Sequence, residues 1–145
     1  MNGCFEDCSN LTLEYLPDNL KTIGNRAFQR CTKLALAHLP MYAETVGEFS
    51  FKRCPNIKIY NFATLTSGSK LISIGKEAFM ESGQSVGGSI TIGYNEKETV
   101  CTIADGAFTD YGHSQISCDI IIIGSVIQCN PELLGFKNVS NMEVV

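Results

Sequence analysis

Short stretches of this chain alternate between apolar and polar residues. A period of two is typical of a strand that buries one face and exposes the other. Two of the stretches lead to a leucine followed by Pro17 or Pro40, where a strand is expected to end because proline has no N–H to donate. The pattern predicts six short strands, around Leu11/Leu13, Leu34/Leu36, Ile57/Ile59, Ile90/Ile92, Ile120/Ile122 and Met142/Val144.

A second apolar position follows four of these strands. It is occupied by Ile23, Val46, Ile74 and Ile103, and a glycine comes next in all but the last case. A tight segment such as residues 25–28 comes after it, which we interpret as a turn or one helical turn.

The whole pattern repeats along the chain. Six phenylalanines mark the units, and they are Phe5, Phe28, Phe51, Phe79, Phe108 and Phe136. The first three are 23 residues apart and the later spacings are 28, 29 and 28. A unit of this size is too small to bury its own apolar face, so we expect each to form one coil of a solenoid with ladders of Leu, Ile and Phe through the core.

The repeating motif reads apolar-Gly-x-x-Ala-Phe-x-x-Cys-x-x-Leu-x-Leu, with its best copies at residues 23–34 and 74–79. It resembles the BspA-like leucine-rich repeats found in surface proteins of bacteria and some parasitic protists. The resemblance implies a leucine-rich-repeat solenoid of about six coils. Short parallel strands would stack in one curved sheet, with turns or short helical turns on the opposite side. The motif departs at residues 80–82 and 109–111, which lack the cysteine, and at residues 131–136.

Length and charge narrow the possibilities further. At 145 residues we expect a single domain, residues 1–145, or a segment of a longer array. A net charge of −4 with 11 Lys plus Arg argues against nucleic acid as a partner. The sequence contains no run of about 18 apolar residues, so we expect no membrane insertion.

Seven cysteines need an explanation, and the repeat supplies part of one. Cys8, Cys31 and Cys54 occupy one position in three successive units, so they should stack at about 4.8 Å. That spacing permits a disulfide between neighbours, but three residues cannot all pair among themselves. We favour buried, reduced thiols over a disulfide or a zinc site. Cys101 and Cys129 each lie seven residues before a phenylalanine of the repeat, so we expect them to stack in the same way.

Residues that would carry catalysis are not evident. His38 and His113 are the only histidines, and neither lies in a pattern with a nucleophile and a carboxylate. The glycines at positions 83, 87 and 88 lack the lysine that a phosphate-binding loop requires. We therefore expect no enzyme activity, cofactor or metal.

The outward positions of the stacked strands form the candidate protein-binding face, called here the strand face. Its residues are Thr12, Glu14, Ala35, Ala37, Lys58, Tyr60, Thr91, Ile121 and Ile123. A second candidate surface consists of the residues inserted relative to the 23-residue unit, at 63–70, 81–89 and 109–119. These insertions are equally compatible with loose polar loops.

The leading hypothesis is a non-catalytic module that binds a protein partner of unknown identity. The resemblance further implies adhesion to host proteins and a cell-surface or secreted location. The alternative is a structural or spacer segment of a longer surface protein.

Overall fold

The computed structural model of the chain describes residues 2–62, 73–93, 100–123 and 127–145. The strands are β1 (Thr22–Ile23), β2 (Thr45–Val46), β3 (Ser73–Ile74), β4 (Gly88–Ile92), β5 (Cys101–Ile103), β6 (Cys118–Ile122), β7 (Ile127–Gln128) and β8 (Val139–Val144). They form two parallel sheets, sheet A in the order β1-β2-β3-β5-β7 and sheet B in the order β4-β6-β8. We number the coils one to six, each starting at its phenylalanine.

Sheet B contains three of the six predicted strands. Ile90 pairs with Ile120 and Ile120 with Met142, in the register that the alternation indicates. In the first three coils the predicted strands are extended segments joined by isolated hydrogen bonds, such as the one from the Ala35 N–H to the Leu13 carbonyl at 3.1 Å. The stacked parallel strands of the predicted leucine-rich-repeat solenoid are confirmed.

Sheet A is built from the second apolar positions of the repeat. Its rungs pair in register, for example Ile23 with Val46 and Val46 with Ile74. The four two-residue rungs each bury one apolar side chain, so their sequence shows no alternation to distinguish a strand from a turn, and only β5 buries two, Cys101 and Ile103. For that reason the single sheet expected from the sequence becomes two.

The segments around the phenylalanines are turns with a repeating backbone conformation. Arg26 and Arg30, two residues before and after Phe28, have positive φ angles of 59° and 61°. The Phe28 N–H donates at 2.8 Å to the carbonyl of Ser50, the residue directly before the phenylalanine of the next coil, so the turns stack as regularly as the strands.

Helix is almost missing from the described part of the chain. Its only helical element is the 3-10 helix Pro131–Leu133, which replaces the regular turn before Phe136. None of the helical residues described could therefore form a span long and apolar enough to cross a bilayer.

The aromatic ladder runs through the core as predicted, except that Phe5 at its first position is 39% exposed. Successive rings from Phe5 to Phe136 stack with centroids 4.6–5.4 Å apart. Phe62 meets the rings of Phe79 and Phe108 edge-on, at 5.1 and 4.8 Å. Parallel and edge-on contacts both match the charge distribution of aromatic rings, so the ladder contributes beyond its buried area.

The glycines after the sheet A rungs allow neighbouring coils to approach closely. A Cβ atom on Gly47 would lie 2.6 Å from the Asn25 backbone nitrogen, and one on Gly75 would lie 2.8 Å from the Glu48 nitrogen. A side chain at either position would therefore push two coils apart.

Candidate interaction surface

The nine residues of the strand face are exposed or partly buried. Five of its residues are exposed: Thr12, Glu14, Ala37, Lys58 and Tyr60. The other four are partly buried: Ala35, Thr91, Ile121 and Ile123. None of the nine belongs to the core, although Ile123 packs tightly enough over Gly93 that a Cβ there would lie 2.7 Å away.

Backbone bonds join the strand face across five coils. The Ala37 N–H donates to the Glu14 carbonyl at 3.3 Å, and the Thr91 N–H donates to the Tyr60 carbonyl at 3.0 Å. Thr91 then pairs with Ile121 in sheet B. The strand face is therefore one continuous surface.

Several exposed apolar residues outside the strand face were not predicted. Tyr15 is 70% exposed, Tyr42 45%, Leu13 42% and Met41 38%. The alternation predicts Leu13 in the core ladder with Leu36 and Ile59. Those two side chains are fully buried, whereas Leu13 is exposed. Tyr15 and Tyr42 occupy positions outside every apolar ladder of the repeat, and this feature of the sequence could have predicted their exposure.

The described ion pairs lie on the turn side of the solenoid, away from the strand face. Arg30 contacts Asp7, and Arg53 contacts Glu81 at 2.9 Å. The hydrogen bond from Arg30 holds the pKa of Asp7 below its ordinary value. These pairs join consecutive coils, and because they are exposed we expect them to add little stability.

All seven cysteines lie in the described residues and are free thiols. The Sγ atoms of Cys31 and Cys54 donate to the carbonyls of Phe5 and Phe28 in the preceding coil, both at 3.0 Å. Burial raises the pKa of Cys31 to about 11 and that of Cys54 to about 12. Thiols in this state are weak nucleophiles, because the thiolate is the reactive form.

The cysteine column continues where the sequence motif seemed to fail. Ser82 occupies the same position in coil four, where its hydroxyl contacts the Phe51 carbonyl and accepts the Cys54 N–H at 3.0 Å. Tyr111 takes the position in coil five, fully buried, and its hydroxyl donates to the Ile59 carbonyl at 2.7 Å. Both departures are substitutions within the repeat.

Two insertions expected to project as loops are folded into the stack in part, and residues 114–117 remain exposed. Residues 81–89 bury Ser82 and Val86, and residues 109–119 bury Tyr111 and Cys118. The His113 N–H donates to the Val86 carbonyl at 2.7 Å, which joins the two insertions to each other. The insertion at 63–70 lies outside the described residues.

The histidines show no catalytic contact. His38 is exposed, and its Nδ1 lies 3.0 Å from the Leu39 carbonyl oxygen. His113 is partly buried, and its Nδ1 accepts the N–H groups of Gln115 and Ile116 at 2.9 and 3.1 Å. In the part of the chain that the structure describes, no group of three or more His, Cys, Asp or Glu side chains could hold a metal ion.

Comparison with known proteins identifies the repeat. The family model described as BspA type Leucine rich repeat region matches residues 1–122, in six copies. No curated protein and no solved structure matches the chain.

Proposed function

The chain belongs to the BspA-type leucine-rich repeat family, and from that premise we propose that it is a non-catalytic module that binds a protein partner through its strand face. Repeats of this kind build a long, continuous surface from small units, which suits recognition of a large partner. A catalytic role has little support: burial raises the pKa of the Cys31, Cys54 and Cys101 thiols, so these three stay protonated at neutral pH.

The observation that carries the proposal is the side chain of Tyr60. It is 43% exposed in the middle of the strand face, between coils that contribute Ala37 and Thr91. Tyrosine is enriched in protein interfaces because it offers a large apolar surface and a polar tip at little entropic cost. We expect Tyr60 to be the central contact.

Adhesion to host proteins and a location at the cell surface or outside the cell are the finer part of the proposal. They rest on the kind of protein in which such repeats occur. Fold-level analogy alone supports them.

Binding of the purified chain to a panel of surface and matrix proteins tests the proposal. We expect saturable binding to one partner, reduced at least about tenfold by Tyr60→Ala because removal of a central aromatic anchor is costly. Ile121→Ser should weaken it less, since Ile121 is partly buried.

Arg53→Ala serves as a matched control, because Arg53 is exposed on the turn side. Binding that Tyr60→Ala leaves unchanged would place the interaction elsewhere. No binding to any member of the panel would favour a spacer role.

A further inference from the structure

The strand face contains a depression with a floor of small side chains. Ala35 and Ala37 lie on coil two, and neighbouring coils flank them on both sides. The Ala35 N–H donates to Leu13 of coil one at 3.1 Å, and the Lys58 N–H of coil three donates to Leu36 at 2.8 Å. The two methyl groups therefore lie between two coils that carry larger side chains.

Exposed side chains form the walls of this depression. On coil one, Thr12 and Glu14 are exposed. On coil three, Lys58 is exposed and Tyr60 is 43% exposed. We call this feature the alanine trough, with Ala35 and Ala37 as its floor and these four residues as its walls.

The width of the alanine trough selects its occupant. Stacked coils lie about 4.8 Å apart, so the two flanking coils are roughly 10 Å apart. One extended polypeptide fits between walls at that separation. An α-helix, about 10–12 Å across with its side chains, does not reach the floor.

The charges flanking the alanine trough are opposite. Glu14 lies on coil one and Lys58 on coil three, and both are exposed. A polypeptide lying between them would gain from a basic side chain on the Glu14 side and an acidic one on the Lys58 side. Opposite charges on the two sides also disfavour a uniformly acidic or basic ligand.

We propose that the alanine trough binds a single extended segment of the protein partner, with the ring of Tyr60 against its side chains. This inference rests on the proposed function and specifies the form of the partner. The partner contributes a linear peptide of mixed charge, and a flat folded surface would leave the trough unfilled.

Selection of short linear peptides of random sequence, displayed on phage, against the folded chain provides the probe. Ala37→Trp fills the trough from an exposed position, so we expect it to weaken the selected peptides at least about tenfold. Thr102→Trp, at an exposed position of sheet A, is the matched control and should leave them unchanged. Thermal melts confirm that both variants fold.

A charge reversal gives a second readout. Lys58→Glu should weaken selected peptides that contain an acidic residue, and acidic-to-neutral substitution in the peptide should remove that difference. Selected peptides that bind Ala37→Trp as well as the unmodified chain would overturn the inference.

Failure of this inference and failure of the proposed function give different results. If no linear peptide is selected, while a folded partner binds and Tyr60→Ala abolishes that binding, the strand face stands and the extended occupant is wrong. If peptides bind in the trough but Tyr60→Ala leaves binding of the folded partner intact, the inference stands and the proposed central contact is wrong.

Discussion

The hydroxyl group of Ser50 is buried in a column of the repeat where the other buried residues are alanines, at positions 27, 78 and 107. Among the described residues its Oγ has no hydrogen-bond partner. A buried polar group without a partner is costly, so Ser50→Ala should raise the free energy of unfolding by about 1 kcal/mol. Urea denaturation measures the change.

Ser82→Ala is the opposite case and serves as the control. The Ser82 hydroxyl bonds both the Phe51 carbonyl and the Cys54 N–H, so its removal should lower the free energy of unfolding. A destabilised Ser50→Ala variant would mean that the hydroxyl has a partner.

The buried thiols make stability depend on pH in the alkaline range. Burial raises the pKa of Cys31 from 9.0 to about 11 and that of Cys54 from 9.0 to about 12. Above pH 9 these thiols ionise in the unfolded chain while the folded chain keeps them protonated, which favours unfolding. We expect the free energy of unfolding to fall steadily between about pH 9 and pH 11.

Denaturation at several pH values under reducing conditions measures this dependence. Cys54→Ser removes one titrating group but keeps a donor for the Phe28 carbonyl, as the Ser82 hydroxyl does for the Phe51 carbonyl. The variant should therefore show a shallower decline, and an equal decline would assign the effect to other groups.

At the scale of the elements, Tyr111 connects parts of the chain that lie far apart in sequence. Its hydroxyl bonds Ile59 across 52 residues, and its ring occupies space that Gly83 leaves free, since a Cβ there would lie 2.5 Å from the ring. Tyr111→Phe keeps the ring but leaves the Ile59 carbonyl without this donor. We expect a loss of about 1–3 kcal/mol in the free energy of unfolding.

Calorimetry or urea denaturation measures that loss, and Tyr60→Phe on the exposed strand face is the matched control. Similar small effects in both variants would show that the buried hydrogen bond contributes nothing measurable.

Alternation in the sequence predicts the strands that bury two apolar side chains, and it misses the strands that bury only one. Ile90/Ile92 and Ile120/Ile122 were read correctly as strands because two inward side chains define a period. Ile23 and Val46 provide only one inward side chain each, so sheet A had no detectable period. Tyr111 was read as a break in the repeat because a large aromatic residue does not resemble the cysteine it replaces.

At the scale of the whole molecule, the nine positions of the strand face could be placed on the outside from alternation alone. Their surroundings could not. Leu13 is exposed on coil one, although alternation places it in the core ladder with Leu36 and Ile59. The depression at Ala35 and Ala37 likewise appears only when three coils are compared side by side.

The stacked turns also constrain the symmetry of any assembly. Phe5 donates its N–H to Ala27 and Phe28 donates its N–H to Ser50, so these amides all point along the axis in one sense. A two-fold rotation that placed two solenoids end to end would bring like groups together, amide against amide or carbonyl against carbonyl. End-on contacts between copies can thus satisfy these turn amides and carbonyls only in a head-to-tail arrangement.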